Sequence, residues 1–561
     1  MKNRSYIIEF FIENRHYLLV SIFLYFSFNQ VLLAQVDVSS KEEIRITSTF
    51  KPSIIKKGKV LFYAAPPERD STAFKFKYDL PFITVKTSVK PFTINPLDMQ
   101  RQNKLRDSSG FYGKLGYGSL QNPYAQFSFE DDNVNRVISV WAKHISAKGL
   151  VKDQQFSNSS IGATIDSRLN ENQKLIFNLG YDLDQYRQYG FDHSLFNYSN
   201  SQINQQYNYF NTSVSFSSLG DNSNSSISPS LYFSNLSTSS NANENNLNLS
   251  LPFTKRVTET FFVKSRPMLD LVFFNKSNDS SKLTSLFQLP LYGQFNNIFF
   301  TVEGGGNAIL FSSGAKFLPY LDLHYKPTNS ILDLFIEIAN KSSVNSLHNL
   351  STQNPFIVMP DSLSIFQQVE YGAGAKITLE KRFSVKVNGG YTSFVDLPLY
   401  FNAGLSGKDM KVFYQPNLDA IHVKAELAYS PTEQFDFKAN FISYSFSGSS
   451  KGIKTYGFIP SEFSSDFIWK PSNSLKLSSV IKLWKGPWAF SELKSDHRLK
   501  NVADVNFGVD YDLNKKWGIW LDLNNIANVK YERWSQYPSF GFNIVGGIRF
   551  NLLNKKGSIN L

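Results

Sequence analysis

Between residues 501 and 514 apolar residues recur at every second position. Val505, Phe507, Val509, Tyr511 and Leu513 alternate with Asn506, Gly508, Asp510, Asp512 and Asn514. The same rhythm runs through Leu175, Phe177, Leu179, Tyr181 and Leu183. It returns at Ile421, Val423, Ala425, Leu427 and Tyr429, where His422, Lys424 and Glu426 fill the gaps. A period of two gives a strand one apolar and one polar face; a helix repeats every ~3.6 residues and cannot produce it. These runs outlast the strands of about 5–6 residues typical of soluble sheets. Composition points the same way. Aromatic residues make up 15% of the 561 residues, with 51 Phe and 28 Tyr, yet mean hydropathy is only -0.25. A disordered chain would lack the aromatics, and a helical membrane protein would need apolar runs of about 20 residues. Apolar side chains spread thinly along many strands satisfy both numbers.

The turns are unequal. Arg168–Gln173, Lys326–Ser330, Ser430–Gln434, Lys470–Ser474 and Leu513–Lys516 are short and rich in Asn, Pro and Ser, the chemistry of tight reversals. Asp192–Gln205, Asn345–Asp361 and Ser447–Glu462 are long and polar. Short turns at one end and long loops at the other are the asymmetry of a transmembrane barrel. From residue 109 to residue 552, roughly 440 residues at about 40–45 per hairpin give about 20–22 strands, within outer limits of about 16–22. The expected fold is therefore all-β: a transmembrane antiparallel up-and-down barrel behind a short N-terminal extension. Its rival is a large soluble solenoid, propeller or lectin, for which no repeat of suitable length is evident. A barrel of this width encloses a lumen that its own side chains cannot fill.

Residues 1–34 read as a secretory signal. Lys2, Arg4 and Arg15 precede and flank the apolar run from Tyr17 to Phe28, and Ala34 offers a cleavage point. Glu9 and Glu13 are atypical there and leave an uncleaved anchor as the alternative. Residues 35–108 are rich in Pro and Lys and lack strand periodicity, so they read as an extended segment. Part of residues 51–108 is expected to occupy or cross the lumen, where its Lys and Arg would meet Glu426, Asp436, Asp510 and Asp522; the other reading is a periplasmic segment that docks a partner. Residues 553–561 form a tail. The chain has no cysteine, which excludes disulfides and thiolate metal sites. The net charge of +12 is spread without a dense basic block. That argues against nucleic acid and suits a surface near anionic lipid headgroups.

The C-terminal residues carry a resemblance. Asn525, Asn528 and Tyr531, followed by Glu532, Arg533, Trp534, Tyr537 and Pro538, and then a last strand ending at Phe550, look like the end of TonB-dependent receptors. The resemblance implies that Phe542, Ile544, Ile548 and Phe550 face lipid and present the signal read by the barrel-assembly machinery. It also implies that Trp534 and Tyr537 lie near a membrane interface. One departure is that residues 551–561 follow the terminal aromatic. Near the other end, Glu43, Ile44, Arg45, Ile46 and Thr47 resemble a TonB box, which pairs with TonB by strand addition; a plain linker strand is the other reading. The segment between this strand and the barrel is too short for the family's plug, so the plug reads as reduced or lost.

No catalytic chemistry stands out. The seven histidines are scattered without metal-ligand spacing, and there is no Gly-x-Ser-x-Gly element. Gly304–Gly306 and the pair Gly389 and Gly390 fit crowding relief in a curved wall better than a phosphate cradle. The sequence is read as a non-enzyme without cofactor, in the outer membrane of a Gram-negative envelope. Its expected partners are outer-membrane lipid, the assembly machinery, and TonB or other envelope proteins. Two functions compete: transport or binding of a solute across the outer membrane, and a non-transporting accessory barrel within an outer-membrane protein complex.

Overall fold

The computed structural model describes residues 108–555, apart from residues 171 and 381 and the stretches 219–224, 278–279, 328–329, 448–453 and 493–494. The signal, the Glu43–Thr47 strand, the segment expected in the lumen and residues 556–561 of the tail lie outside the described residues.

The alternating segments form a closed antiparallel barrel of 22 strands. Closure follows from the ends of the ring. The first strand, Ser108–Gly118, pairs with Asn122–Asp132 on one side and with the last strand, Asn543–Lys555, on the other. Every backbone donor of the wall can then find a partner within the sheet, which is the condition for crossing a bilayer with strands. The seam is built for close approach. Gly116 lies opposite Gly547, and a side chain on Gly116 would come within 2.3 Å of the Trp520 indole. Trp520 Nε1 donates to the Leu115 carbonyl at 3.2 Å, and the Lys114 ammonium sits 3.9 Å above the indole.

The period of two is realised as an outward apolar and an inward polar face. Leu115, Ile161, Leu231, Ile421, Ile519 and Ile548 are exposed on the outside, while their neighbours Lys114, His422 and Lys424 are buried inside. An exterior of this kind belongs against lipid, and a closed ring of antiparallel strands with such a face is the architecture of a membrane-spanning barrel. The five short turns picked out in the sequence all close the same end of the barrel, and the three long loops all leave the other. By the asymmetry of such barrels the short turns are periplasmic and the long loops extracellular.

One stretch of wall departs from regular pairing. Pro229, Pro252 and Pro267 interrupt three neighbouring strands, splitting each into two pieces. Their carbonyls still accept from Phe216, Ser228 and Leu251 at 2.9 Å, but proline has no N–H to return. Pro290 and Pro319 continue the row on later strands. Their carbonyls accept side-chain donors, the Ser265 hydroxyl at 2.6 Å and the Asn340 amide at 2.9 Å.

Candidate functional site: the extracellular dome

The long connections fold into one packed dome. They comprise residues 188–203, 345–364, 396–417, 454–460, 485–501 and 525–542, and they carry two short helices, Asn200–Ile203 and Leu347–Gln353. The second helix starts at a capping serine: Ser346 Oγ accepts from Asn349 N. Its Leu347 and Leu350 share one face and are wholly buried. They join Phe356, Ile357, Met359, Tyr400, Met410, Trp534 and Tyr537 in a core that also includes Tyr207, Tyr209, Leu236 and Phe274 of the wall. The rings meet in preferred geometries: Phe356 stacks on Tyr537 with centroids 4.0 Å apart, and Tyr189 meets Tyr537 edge-on at 5.0 Å.

Backbone groups of the loops are satisfied by one another and by the wall. Val358 N donates to the Met410 carbonyl, Tyr400 N to Tyr456 and Gly457 N to Trp488, at 2.8, 3.1 and 2.8 Å. The Tyr207 hydroxyl rises from the wall to the Pro355 carbonyl at 2.9 Å, and Tyr189 OH and Gln154 Nε2 both reach the Pro538 carbonyl at 2.8 Å. The Glu244 carboxylate, on the inner face of the wall, accepts from the first helical N–H groups at Leu347 and His348. A carboxyl group there meets the unpaired donors of a helix start. Lys408 Nζ donates to Gln188 Oε1 at 3.0 Å, joining connections that leave the ring about half a circuit apart in strand order. Burial alone holds the His348 imidazole down at about 4, and burial, reinforced by Tyr189 and Asp409, pushes the Tyr537 hydroxyl well above its ordinary value. His348 lies flat on Tyr209, with centroids 3.7 Å apart.

The loop that opens with Asn525 is folded by the residues that carry the family resemblance. Asn525 and Asn528 adopt positive φ, at 47° and 48°, which asparagine tolerates better than most residues. The Asn525 amide donates to the Val529 and Phe540 carbonyls at 3.0 Å, Asn528 Oδ1 accepts from Phe542 N at 2.9 Å, and the Tyr531 hydroxyl reaches Asp504. Trp534 and Tyr537 are not at a membrane interface as the resemblance implies. Both are buried in the dome, because the loop turns inward over the mouth rather than outward to lipid. Phe542, Ile544 and Ile548 are exposed on the outer surface, and Phe550 packs against Trp517 at 4.6 Å.

Below the dome the inner wall is polar and largely self-paired. Lys264 meets Glu303 at 2.6 Å, and His324 lies between Asp322 and Asp333 at 3.0 and 2.9 Å. Lys424 pairs with Glu370, and Arg549 pairs with Asp512 at 2.5 Å. His422, on the polar face of its strand, is buried rather than solvated: its ring nitrogens face Thr392 Oγ1 and Asn388 Oδ1 at 2.8 and 3.1 Å. Of the acidic lumen positions expected from the sequence, Glu426 faces Lys386 across the strand pair and Asp510 lies 3.8 Å from Arg549. Asp436 is tied to Ser430 and Lys438 near the periplasmic turns. Among the described residues no group of three His, Cys, Asp or Glu is placed to hold a metal ion.

Sequence reading missed the dome itself. It treats residues 345–361 as a long polar loop. The signal was present in Leu347 and Leu350 at helical spacing behind Ser346, and in the run from Phe356 to Met359.

No family model matches the chain, and no curated protein is similar to it in sequence. Solved structures are similar in fold. The FrpB iron transporter from Neisseria meningitidis aligns with a TM-score of 0.63 at 10% identity, covering 79% of this chain and 81% of that one. A mutant of the ferric enterobactin receptor PfeA from Pseudomonas aeruginosa gives 0.59 at 11% identity, covering 80% of each. The siderophore receptor PirA from Acinetobacter baumannii gives 0.59 at 9%, covering 79% of this chain and 80% of that one. The likeness is one of fold: this chain shares the closed barrel architecture of these receptors.

Proposed function

We propose that this barrel is a receptor that binds a solute at its domed extracellular end and admits it to the polar lumen. The observation that carries this reading is the dome. Connections from far-apart points of the ring share one aromatic core, and the inner wall beneath is lined by hydrogen-bonding and charged groups. A simple diffusion pore has no use for a packed cover, whereas a receptor needs a selective surface over its conduit. In this reading Glu43–Thr47 pairs with TonB by strand addition, and TonB supplies the work of opening. Phe542, Ile544, Ile548 and Phe550 form the outward strand offered to the assembly machinery. No catalytic step is required. The test is planar-bilayer conductance of the purified full chain and of a variant lacking residues 346–362. The intact barrel should be nearly closed, and the variant should conduct and admit large antibiotics to cells. Equal conductance of the two would remove the dome from any role in passage.

The accessory-barrel reading is favoured by a different observation. Near the extracellular end, Asn235, Asn243 and Asn245 share the outward face with Leu231 and Leu249 and bond to one another at 2.8–3.2 Å. Amides on an outward face suit a polar partner better than lipid tails. Cross-linking from cysteines placed at 235 and 245 on whole cells tests it. A discrete adduct with another envelope protein supports this reading, and labelling by free reagent alone removes it.

A further inference from the structure

Arg533 is buried without an ion pair. Its side chain is almost wholly enclosed, and among the described residues no carboxylate lies within ion-pair distance of it. Of its five donors, Nη1 reaches the Gly457 carbonyl at 2.8 Å and Nη2 has no partner. The guanidinium lies over the indole of Trp534, 4.0 Å from the ring centroid, and Trp534 Nε1 is also buried without an acceptor. Two unused N–H donors therefore stand on adjacent residues within one small volume. The buried Glu462 carboxylate acts on the guanidinium from beyond ion-pair distance and leaves Nη2 unfilled. A buried guanidinium without a direct partner is costly, and natural proteins retain such groups where something else completes them.

The surroundings are consistent with an anion. Gly457 closes the site: its φ is +72°, and a side chain there would meet the Trp534 ring at 2.6 Å. Its N–H donates to the Trp488 carbonyl, and Trp488 carries the Lys454 ammonium 3.9 Å over its ring and the exposed Arg498 guanidinium 4.8 Å away. The nearby carboxylate of Asp496 is engaged by the Tyr456 hydroxyl at 2.6 Å. Arg533, Lys454 and Arg498 thus stand against the carboxylates of Asp496 and Glu462, an excess of one positive charge among these groups.

We propose that Arg533 and Trp534 form an oxyanion-binding site inside the dome, taking the carboxylate or phosphate group of a solute. One oxygen would accept from Arg533 Nη2 and the other from Trp534 Nε1, and the charge would offset that of the guanidinium. This deepens the receptor reading and rests on it, since it names the chemical class that the dome selects.

The test is a titration of the purified full chain in detergent with sodium acetate and with sodium phosphate, followed by tryptophan emission. Sodium chloride at matched ionic strength is the reference. A saturable change with either probe is expected, weakened about tenfold or more in Arg533→Met, the size of one lost hydrogen bond to a charged group. No saturable change, or the same change in Arg533→Met, overturns the site. Should that variant fail to fold, bromide-soaked crystals of the unaltered protein decide. An anomalous peak beside Arg533 Nη2 supports the site, and a water molecule alone there overturns it. A barrel that binds the probe but never conducts keeps the site and loses transport; one that conducts without responding loses the site alone.

Discussion

The wall and the dome of this barrel are held by different forces. In the wall, each strand meets its neighbours through an unbroken backbone ladder for most of its length, as along Gln173–Arg187 and its partner Asn204–Ser218. Its side chains only sort inside from outside. In the dome the backbone is irregular, and order comes from side chains that reach carbonyls far away in sequence, such as Gln154 to Pro538 and Tyr207 to Pro355. The wall is therefore tolerant of side-chain change on its polar face and cooperative along its length. The dome depends on a few individual contacts and can give way while the wall stands.

The sharpest way to break that contrast is to hollow the dome. Phe356→Ala removes a ring stacked on Tyr537 and should cost about 3–5 kcal/mol of local packing. Hydrogen exchange should then accelerate in residues 345–363 and 534–540 and stay slow in the strands. If the strands lose protection together with the loops, wall and dome are one cooperative unit and the contrast fails. Next in size is a charge on the lipid side. Ile548→Arg should cost about 2–4 kcal/mol and lower the assembled, heat-modifiable fraction, whereas Ser160→Arg, on the inner face opposite Asp182, should assemble nearly normally. Equal yields would contradict the assigned faces. Asn543 would be a poor inner-face control because it is buried and bonded to Asn524.

A smaller effect is expected at the tie between the two regions. Glu244→Gln replaces the carboxylate under the helix start and should loosen residues 345–353 by about 1.5–3 kcal/mol without altering assembly. Unchanged exchange there would mean that the aromatic core alone holds the loop. The finest discrimination comes from pH. His348 is held at about 4 in the folded dome, below the ordinary histidine value of about 6.5. The unfolded loop binds the proton more readily, so the contribution to stability is complete above about pH 6.5 and is lost as pH falls toward 4. Protection factors in residues 345–353, taken relative to the intrinsic exchange rate at each pH, should fall between pH 7 and pH 5. His348→Gln should flatten this response and so separate it from any titration of Glu244; a response unchanged by the substitution would assign it elsewhere.

These differences explain what could be read in the sequence. The wall was legible because one rule, the period of two, repeats in every strand, so that misreading any single segment does not change the answer. Ile421, Val423, His422 and Lys424 take the sides that their alternation assigns. The short turns were legible because Asn, Pro and Ser state their geometry locally. Nothing local announces that Tyr189 will meet Tyr537, or that Arg533 will lie over Trp534 with one hydrogen bond. Those partners are fixed by which loops converge over the mouth, and that depends on where closed-ring geometry places strand ends distant in sequence. Asn525, Asn528 and Tyr531 were noticed through resemblance alone; their role in folding the loop becomes visible only in their hydrogen bonds.

The row of prolines through Pro229, Pro252, Pro267, Pro290 and Pro319 also has a mechanical consequence. A sheet under load shares tension through its cross-links, and this row omits amide cross-links at similar places on neighbouring strands. Pulled from one terminus, a barrel yields hairpin by hairpin, and the force at each step reflects the cross-links still standing. The hairpins carrying these prolines should tear at lower force than those on either side, making this sector the crease along which the cylinder first gives.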